Sequence, residues 1–290
     1  MSAPISVLIL TKNEETNILG CIDSVCWSDD IVILDSGSSD STVSLAKSRG
    51  CRVFHRPFDN WADHQNWAVR NVSFLHPWVF NIDADERVGA ECTGEMVAAV
   101  AADGPVAFRL RRKDYFRGVW LKHATFYPTW LIRLYRPASV EFQRLVNPVT
   151  VVAGPVGNLQ THIEHWPFSK GISYWLERHN SYSTFESIEY LKRPSVSVRN
   201  LFSRDSNRRR QTLKGMFVRM PARPLLKFLY LYLLHLGFLD GRSGLHYCLL
   251  QSFYELMISL KVIESTDFDR AQLERPAPTC GTTAGNSALP

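Results

Sequence analysis

Three carboxylates stand close together in the segment NIDADERV, residues 81–88: Asp83, Asp85 and Glu86. They follow the run WVFNI, residues 78–82, whose aromatic and β-branched residues predict a buried strand. The carboxylates therefore leave the sheet together at the carboxyl end of that strand. Two aspartates one residue apart suit a hard divalent cation that keeps other positions for phosphate oxygens. The segment predicts metal-assisted chemistry on a phosphate-bearing ligand.

Two further polar loops follow predicted strands. The first covers residues 11–14 after ISVLIL, and the second covers residues 35–40 after DIVILD. Turn formation and helix N-capping also explain a segment such as DSGSSDST, because Asp, Ser and Gly favour both. The joint placement of three such loops after three strands favours a ligand site over three unrelated turns.

The elements that position these loops alternate along the first hundred residues. Strand-like runs at 5–10, 30–35, 51–56 and 78–82 are separated by helical patterns within 15–25, 41–50 and 60–71. Short, wholly apolar strands between helices predict a mostly parallel sheet covered on both faces. Ligands bind beyond the carboxyl ends of the strands in such sheets, which is where the three loops fall.

The remaining chain divides into three parts by composition. Residues 105–165 predict antiparallel strands and loops, rich in aromatic and basic residues, and residues from 171 onward predict helices. The tail 265–290 has the Pro, Gly and small-residue composition of a disordered end. We therefore predict an α/β domain over 1–170, with halves at 1–104 and 105–170, and a helical, basic extension over 171–264.

Composition bounds the cellular setting. The chain has 290 residues, of which 45% are hydrophobic, and its six cysteines form no CxxC pair. This pattern favours a reducing cytoplasm over a disulfide framework. The longest apolar run, FLYLYLLHLGFL at 228–239, is shorter than the roughly 18 residues that span a bilayer and contains His235. We expect no spanning segment, although a position on a membrane surface fits the run.

The sequence resembles the family 2 inverting nucleotide-sugar glycosyltransferases, which have the Rossmann-like GT-A fold. The resemblance lies in SVLILTKNEE, VILDSGSSDST and WVFNIDADERV, and continues through YFRGVW, LIRLYRP, GPVGNL, HIEHW and GFLDGRSG. These motifs cover about 260 residues. They are similar to those of a subgroup that includes lipopolysaccharide-core β-1,4-glucosyltransferases.

The resemblance implies roles for residues of all three loops. Thr11, Asn13 and Glu14 would line the nucleotide pocket, and Asp35 would accept a hydrogen bond from the base. Asp83 would contact the ribose or the metal shell, and Asp85 would hold Mn²⁺ or Mg²⁺ against the diphosphate. His165 would reach the same site as a metal ligand. Gln65 and Asn66 would reach it as pocket residues.

The general base of the reaction has several candidates. An inverting transfer needs a group that takes the proton of the acceptor hydroxyl. Where many relatives carry His-Glu, this sequence has Asn147 and Pro148. The remaining carboxylates that could serve, alongside Asp85 in the catalytic set, are the following: Glu86, Glu164, Glu141 and Asp114. A catalytically weak relative that binds nucleotide-sugar and membrane remains an alternative.

The C-terminal third carries a concentrated positive charge. From residue 190 to residue 245 there are twelve Lys or Arg against two acidic residues, whereas the whole chain has a net charge of +5. A basic segment beside an apolar run fits a protein lying on an anionic leaflet, where each cation contributes about 1 kcal/mol. A solvated loop followed by a packed helix explains the same pattern. The segment NRRRQTLKGMFVRM could also bind nucleic acid, but no recognition module frames it.

These observations combine into one functional prediction. The chain is expected to transfer a sugar from a nucleotide-sugar, UDP-linked, to a membrane glycolipid or cell-surface polysaccharide, with inversion and with Mn²⁺ or Mg²⁺. It would work in the cytoplasm, peripherally on the inner membrane, and without nucleic acid. A polyprenyl-phosphate glycosyltransferase of the same fold is an alternative. A nucleotidyltransferase is disfavoured because TKNEETN is acidic where a basic phosphate loop would stand.

Overall fold

Alternating apolar strands and amphipathic helices form the first half of the protein, as the sequence pattern predicts. A computed structural model describes residues 4–102, 104–192 and 222–273, together with residues 205, 209 and 212. The strands are β1 (Ile5–Thr11), β2 (Ile31–Asp35), β3 (Arg52–His55) and β4 (Trp78–Asp83). The helices between them are α1 (Ile18–Ser24), α2 (Thr42–Ser48) and α3 (Trp61–Asn71).

The second half adds shorter strands to the same sheet. These are β5 (Glu86–Val88), β6 (Ala107–Phe116), β7 (Val119–Trp120), β8 (Thr129–Tyr135), β9 (Val140–Gln143), β10 (Val149–Val152) and β11 (Val156–His165), with helix α4 (Ala90–Ala101) after β5. Strands β9 and β10 form a separate antiparallel pair. The expectation that residues 105–165 are antiparallel holds for β6 with β8, but it is wrong for β6 with β11, which pair in parallel.

The main sheet has nine strands in the order β3-β2-β1-β4-β8-β6-β11-β5, with β7 paired to β6. Strands β1 to β4, β6 and β11 run in one direction, and β5, β7 and β8 run against them. The predicted fold class is therefore confirmed as a mostly parallel, Rossmann-like sheet flanked by helices, followed by C-terminal helices. The parallel half brings the ends of β1, β2 and β4 to one edge, where ligands bind in such sheets.

Strand β1 explains why these strands are mostly apolar. Ile5, Val7 and Ile9 pack into the core on one face of the sheet, and Leu8 packs into the core on the other. Side chains alternate between the faces of a strand, so a strand covered by helices on both sides favours apolar residues on both faces, with the buried Ser6 as the polar exception. Each such apolar side chain stabilises the fold by about 1.5–3 kcal/mol through burial.

The C-terminal helices pack together beside the sheet. They are α5 (Gly171–Leu191), α6 (Arg223–Leu229) and α7 (Gly241–Leu273), and α7 packs against both α5 and α6. A π-helical turn (Tyr230–Leu234) and a 3-10 turn (Gly237–Asp240) join α6 to α7. Helix α7 extends beyond residue 264, where the extension was expected to end. Most of the basic segment at 193–221 and the end of the predicted tail at 274–290 lie outside the described residues.

No helix within the described parts of the chain combines the length and apolarity needed to cross a membrane.

Candidate active site

A cleft of about 520 Å³ lies at the carboxyl ends of β1 and β4 and is covered on one side by α5. Three of the residues predicted for the nucleotide pocket, Thr11, Asn13 and Glu14, line it together with Asp83 and Asp85. The parallel pairing of β1 with β4 brings these two loops together, because Leu10 pairs with Asp83 in register. The structure thus brings five of the predicted site residues into one cavity.

The loop after β2 supports the floor of the cleft. Asp35 is buried, and its carboxylate accepts hydrogen bonds from Thr11 Oγ1 and from the backbone N–H groups of Gly37 and Ser38, at 2.9–3.1 Å. Burial opposes its ionisation, yet hydrogen bonds led by that of the Ser38 hydroxyl lower the pKa of Asp35. Asp35 is not among the residues that line the cleft. Its role as acceptor for a nucleobase stays a prediction.

A lysine that the sequence prediction missed holds Glu14. Lys170 Nζ donates to Glu14 Oε1 at 2.6 Å and to the backbone carbonyl of Asn13 at 3.0 Å. Asn17 donates to the second carboxylate oxygen at 2.7 Å. Burial raises the pKa of Glu14, against the hydrogen bonds from Asn17 and Lys170. This network fixes the β1 loop against the start of α5.

The three carboxylates after β4 separate into different environments. Glu86 is 0% exposed. One of its oxygens accepts from Arg133 Nη2 at 2.8 Å, and the other accepts from the backbone N–H of Asp83 at 3.0 Å. Arg133 also donates to Asp83 Oδ2 at 2.7 Å. Burial works against the ionisation of Asp83, but the charge of Arg133 lowers the pKa of Asp83. The carboxylate of Glu86 is enclosed in this ion pair and does not line the cleft, and its catalytic role stays a prediction.

Asp85 faces the cleft from the turn between β4 and β5. Its Oδ2 lies 3.6 Å from His165 Nε2 and 3.6 Å from Arg178 Nη1. Burial again opposes ionisation, but the charge of His165, with a smaller effect of Arg178, holds the pKa of Asp85 well below its usual range. Asp85 is therefore an ionised carboxylate beside the cavity.

His165 lies between two carboxylates. Its Nδ1 is 2.6 Å from Asp114 Oδ1, and the two residues are register partners on β11 and β6. Burial and Arg112 oppose protonation, yet Asp85 and Asp114 raise the pKa of His165 to about 9. A carboxylate on one ring nitrogen is the arrangement that orients metal-binding histidines toward their ion with the other nitrogen.

The donor groups of this corner fit the divalent cation that the sequence predicts. Asp85, Asp83 and the Nε2 atom of His165 are oxygen and imidazole ligands of the kind that Mn²⁺ accepts. Among the described residues, no three His, Cys, Asp or Glu side chains already converge into a metal cluster.

Helix α5 supplies a wall that the sequence prediction did not identify. Its cleft-lining residues recur at helical spacing on one face: Tyr174, Glu177, Arg178, Ser181, Tyr182 and Phe185. The periodicity of three and four residues was a readable signal, but a polar and aromatic face is equally typical of a solvated helix. Arg178 stands out because it reaches Asp85 and donates through Nε to Tyr182.

Aromatic rings line the part of the cleft next to Arg178. Trp61 at the start of α3 contacts Tyr182 and Phe58 edge to face, with ring centroids 4.7 and 4.6 Å apart. His64 follows one turn later, and its Nδ1 lies 3.0 Å from Arg56 Nη1. Because a guanidinium only donates, Nδ1 accepts and Nε2 donates to Ser36. Flat apolar surfaces beside polar groups suit a heteroaromatic base.

Two residues predicted to reach the pocket are turned away from it. Asn66 exchanges two hydrogen bonds with the backbone of Phe142, at 2.8 and 2.9 Å, and Gln65 accepts from Asn81 at 3.0 Å. Both are buried on the side of α3 that faces the sheet and β9. Neither lines the cleft. In this structure Gln65 joins α3 to β4 of the sheet and Asn66 joins α3 to β9, and their pocket roles stay a prediction.

The remaining candidates for the base also lie outside the cleft. Glu164 precedes His165 on β11, and strand alternation turns it to the opposite face, beside Tyr115. Glu141 is exposed on β9 near Arg70. Asp114 is buried between His165 and Arg112. Glu164 does not line the cleft, so its catalytic role stays a prediction, and Asp114 has the position of a support for His165.

An acidic cleft at the carboxyl edge of an α/β sheet lies where proteins of this fold class bind their ligands. Residues 6–181 match the family described as Glycosyl transferase family 2. The chain belongs to this family, and it is therefore a glycosyltransferase.

Two relatives are similar to this chain over half of its length or more. The lipopolysaccharide core biosynthesis glycosyltransferase LpsC of Rhizobium meliloti is 29% identical over 268 residues, which cover 88% of this chain and 87% of LpsC. An uncharacterized glycosyltransferase of Rickettsia typhi is 32% identical over 151 residues, which cover 50% of this chain and 51% of that protein. Among solved structures, Staphylococcus aureus TarS 1-349 in complex with UDP-GlcNAc has 13% identity and a TM-score of 0.45, with 92% of both chains covered.

Proposed function

We propose that this glycosyltransferase moves a sugar from a UDP-sugar to a lipopolysaccharide-core type glycolipid, with inversion and with help from Mn²⁺ or Mg²⁺. The observation that carries the proposal is Asp85, an ionised carboxylate that faces a cleft lined by aromatic rings and by Arg178. The name of LpsC, which is similar over most of both chains, supports the choice of acceptor.

Different residues of the cleft would bind the base and the diphosphate of the donor. Trp61 and Tyr182 offer ring faces and edges to the uracil, and the polar groups of the β1 loop line the same cleft. Arg178 places its guanidinium beside Asp85, where it would pair with a diphosphate oxygen. The donor sugar then lies past Asp85, toward the acceptor.

Asp85, Asp83 and His165 would hold the cation, with Asp114 fixing the ring of His165. When bound, the divalent ion stabilises the negative charge that develops on the leaving diphosphate. The chain's own contribution to the same charge is Arg178. The ion pair with Arg133 fixes the orientation of the Asp83 side chain.

Glu177 is our assignment for the general base. Five carboxylates line the cleft, and four are engaged: Glu14 with Lys170, Asp59 with Arg56, Asp83 with Arg133, and Asp85 with His165 and Arg178. Among the described cleft residues, Glu177 is the carboxylate without an ion pair or hydrogen bond. It is exposed to the cavity one residue before Arg178. A free carboxylate there can accept the proton of an acceptor hydroxyl as the bond to the sugar forms.

The acceptor and the location of the enzyme are linked. A glycolipid acceptor is confined to a membrane, so an enzyme that uses it gains from lying on the membrane surface. The positive charge of residues 190–245 is complementary to the anionic lipids of a cytoplasmic leaflet. We therefore place the protein in the cytoplasm, peripherally on the inner membrane.

Calorimetric titration tests the donor half of this proposal. Wild-type protein and Asp85→Asn are titrated with UDP, GDP and CDP, with and without Mn²⁺. We expect UDP to bind more tightly with Mn²⁺, and we expect this gain to disappear in the variant. Exposed Glu91→Gln on α4 serves as a control of equal charge change outside the cleft. Equal UDP binding by wild type and Asp85→Asn, at every metal concentration, contradicts the metal assignment.

A further inference from the structure

The connection between α6 and α7 presents a group of apolar side chains to solvent. Leu234 is 75% exposed, Leu239 is 58% exposed and Leu233 is 50% exposed. Leu236 and Phe238 are exposed beside them. We call these five residues, Leu233, Leu234, Leu236, Phe238 and Leu239, the apolar tip. Single exposed leucines are common on protein surfaces, but five large apolar residues within seven positions indicate an interaction site.

The apolar tip is held in this conformation by the rest of the protein. Asp240 Oδ2 accepts hydrogen bonds from the backbone N–H groups of His123 and Ala124, at 2.8 and 2.7 Å. Gly237 is buried, and a Cβ there would lie 2.7 Å from the Leu231 carbonyl oxygen. Leu236 has a φ of 60°, which is unfavourable for a leucine. The tight packing and the strained leucine show that the exposure of the tip is built into the fold.

Amphipathic aromatic side chains surround the base of the tip. Phe126 is exposed, and its ring lies 6.2 Å from that of Tyr230 and 5.1 Å from that of His235. Trp120 and Tyr127 pack edge to face nearby on the same 120–127 segment, with ring centroids 5.1 Å apart. Aromatic side chains with one polar end favour the boundary between lipid headgroups and acyl chains.

Positively charged side chains lie near the base of the apolar tip. Lys122 is exposed and precedes His123, whose backbone is bound by Asp240, and Arg242 is exposed two residues after Asp240. Lys227 Nζ lies 4.8 Å from the ring centroid of Phe126. Two acids lie nearby: Asp240 accepts from the two backbone N–H groups, and Glu255 lies 4.0 Å from Lys227, so Lys122 and Arg242 are the exposed cations of the site. An apolar projection with a ring of positive charge at its base is complementary to an anionic bilayer surface.

We propose that the apolar tip inserts into the headgroup region of an anionic membrane, while Lys122 and Arg242 contact anionic headgroups. This inference deepens the membrane location given under the proposed function and rests on it. A second copy of the chain fits the surface less well, because a two-fold contact centred on the tip would bring the same cations together. The docking surface combines two segments, 120–127 and 230–242, which are distant in the sequence.

Vesicle sedimentation tests the inference on the full-length chain. The wild-type protein is mixed with phosphatidylcholine vesicles and with vesicles that also contain phosphatidylglycerol. The test variants are Leu234→Gln with Leu239→Gln, and separately Lys122→Gln with Arg242→Gln. We expect the double leucine variant to weaken binding to both vesicle types by about 100-fold or more. The double cation variant should weaken binding about fivefold per charge, on phosphatidylglycerol vesicles alone.

Leu75→Gln is the matched control, since Leu75 is 66% exposed in the loop before β4. It should leave vesicle binding unchanged. The inference is overturned if the double leucine variant binds vesicles as the wild type does, or if Leu75→Gln weakens binding equally. A change of the double leucine variant from dimer to monomer, with vesicle binding unaltered, would instead identify a second copy as the partner and also overturn it.

Titration with UDP and Mn²⁺ separates this inference from the proposed function. The double leucine variant should bind UDP as the wild type does, because the tip does not line the cleft. If the wild type binds vesicles through the tip but binds no nucleotide, the donor assignment fails and the docking surface stands. If nucleotide binds and vesicles do not, the docking surface fails and the donor assignment stands.

Discussion

Glu86→Gln and Asp85→Asn remove one negative charge each from adjacent residues, and the structure predicts opposite consequences. Both oxygens of Glu86 accept a hydrogen bond, from Arg133 and from the backbone of Asp83. A glutamine there must turn its NH₂ group toward one of these donors. Asp85 faces the cleft, and its two cationic neighbours lie 3.6 Å away. Glu86 should therefore matter for stability, and Asp85 for the reaction.

The magnitudes follow from the contacts. A buried donor left without a partner costs about 1–3 kcal/mol, and breaking a buried ion pair costs about 3–5 kcal/mol. Because Arg133 keeps Asp83 at 2.7 Å in the variant, we expect Glu86→Gln to lower the free energy of unfolding by about 3 kcal/mol. The midpoint temperature should fall by roughly 6–10 °C. For Asp85→Asn, the 3.6 Å contacts are looser, and His165 keeps Asp114 while Arg178 keeps Tyr182, so the loss of stability should be smaller than that of Glu86→Gln.

The assay pairs unfolding with turnover. Thermal and urea unfolding are followed by circular dichroism, and transfer is followed by release of UDP. Asp85→Asn should lose at least about 100-fold in turnover at temperatures where it is fully folded, and it should unfold at a higher temperature than Glu86→Gln. Glu86→Gln should keep measurable turnover at temperatures well below its midpoint. If Glu86→Gln unfolds like the wild type and yet has no turnover, the separation of the two carboxylates is wrong and Glu86 takes part in the reaction.

Three further predictions concern other groups of the site. Arg178→Lys should weaken UDP binding in the presence of Mn²⁺ about 10-fold to 100-fold, measured by calorimetry, because an ammonium cannot reproduce the two-pronged contact with a diphosphate; an unchanged affinity contradicts the diphosphate contact. Glu177→Gln should lower kcat about 100-fold or more and leave UDP affinity unchanged, whereas Glu91→Gln should alter neither; a normal kcat contradicts the base assignment. Burial and Arg56 lower the pKa of His64 to about 4 from 6.5, so between these pH values the unfolded chain binds a proton that the folded chain excludes. Stability should consequently fall by roughly 3 kcal/mol through this group as pH drops from 6.5 to 4, and urea titrations of His64→Gln should show a smaller fall.

The sequence pattern was sufficient for the architecture of the nucleotide-binding half. Strands β1, β2 and β4 begin and end within one or two residues of the predicted bounds. Wholly apolar runs between helical patterns have few other stable arrangements than a covered parallel sheet. The same argument placed Thr11, Asn13, Glu14, Asp83 and Asp85 at one edge, because parallel strands share the edge at which they end.

Only the tertiary structure decided what each polar residue at that edge contacts. Glu86 and Asp85 are neighbours of the same charge, and nothing local distinguishes them. The ion pair that buries Glu86 comes from Arg133, 47 residues away on β8. Gln65 and Asn66 look like pocket residues until β9 packs on α3 and takes the Asn66 amide.

Contacts between residues distant in the sequence also decide the position of the α5 wall of the cleft and the exposure of the apolar tip. The face of α5 that carries Arg178 and Glu177 is readable as a helix face, but its position over Asp85 depends on how α5 packs after β11. The leucines of the tip read equally well as core residues, since 228–239 is an apolar run. Its exposure follows from Asp240, which binds the backbone of His123 and Ala124 more than a hundred residues away. Sequence patterns report the period and polarity of an element, and the contacts between distant elements arise only when the whole chain packs.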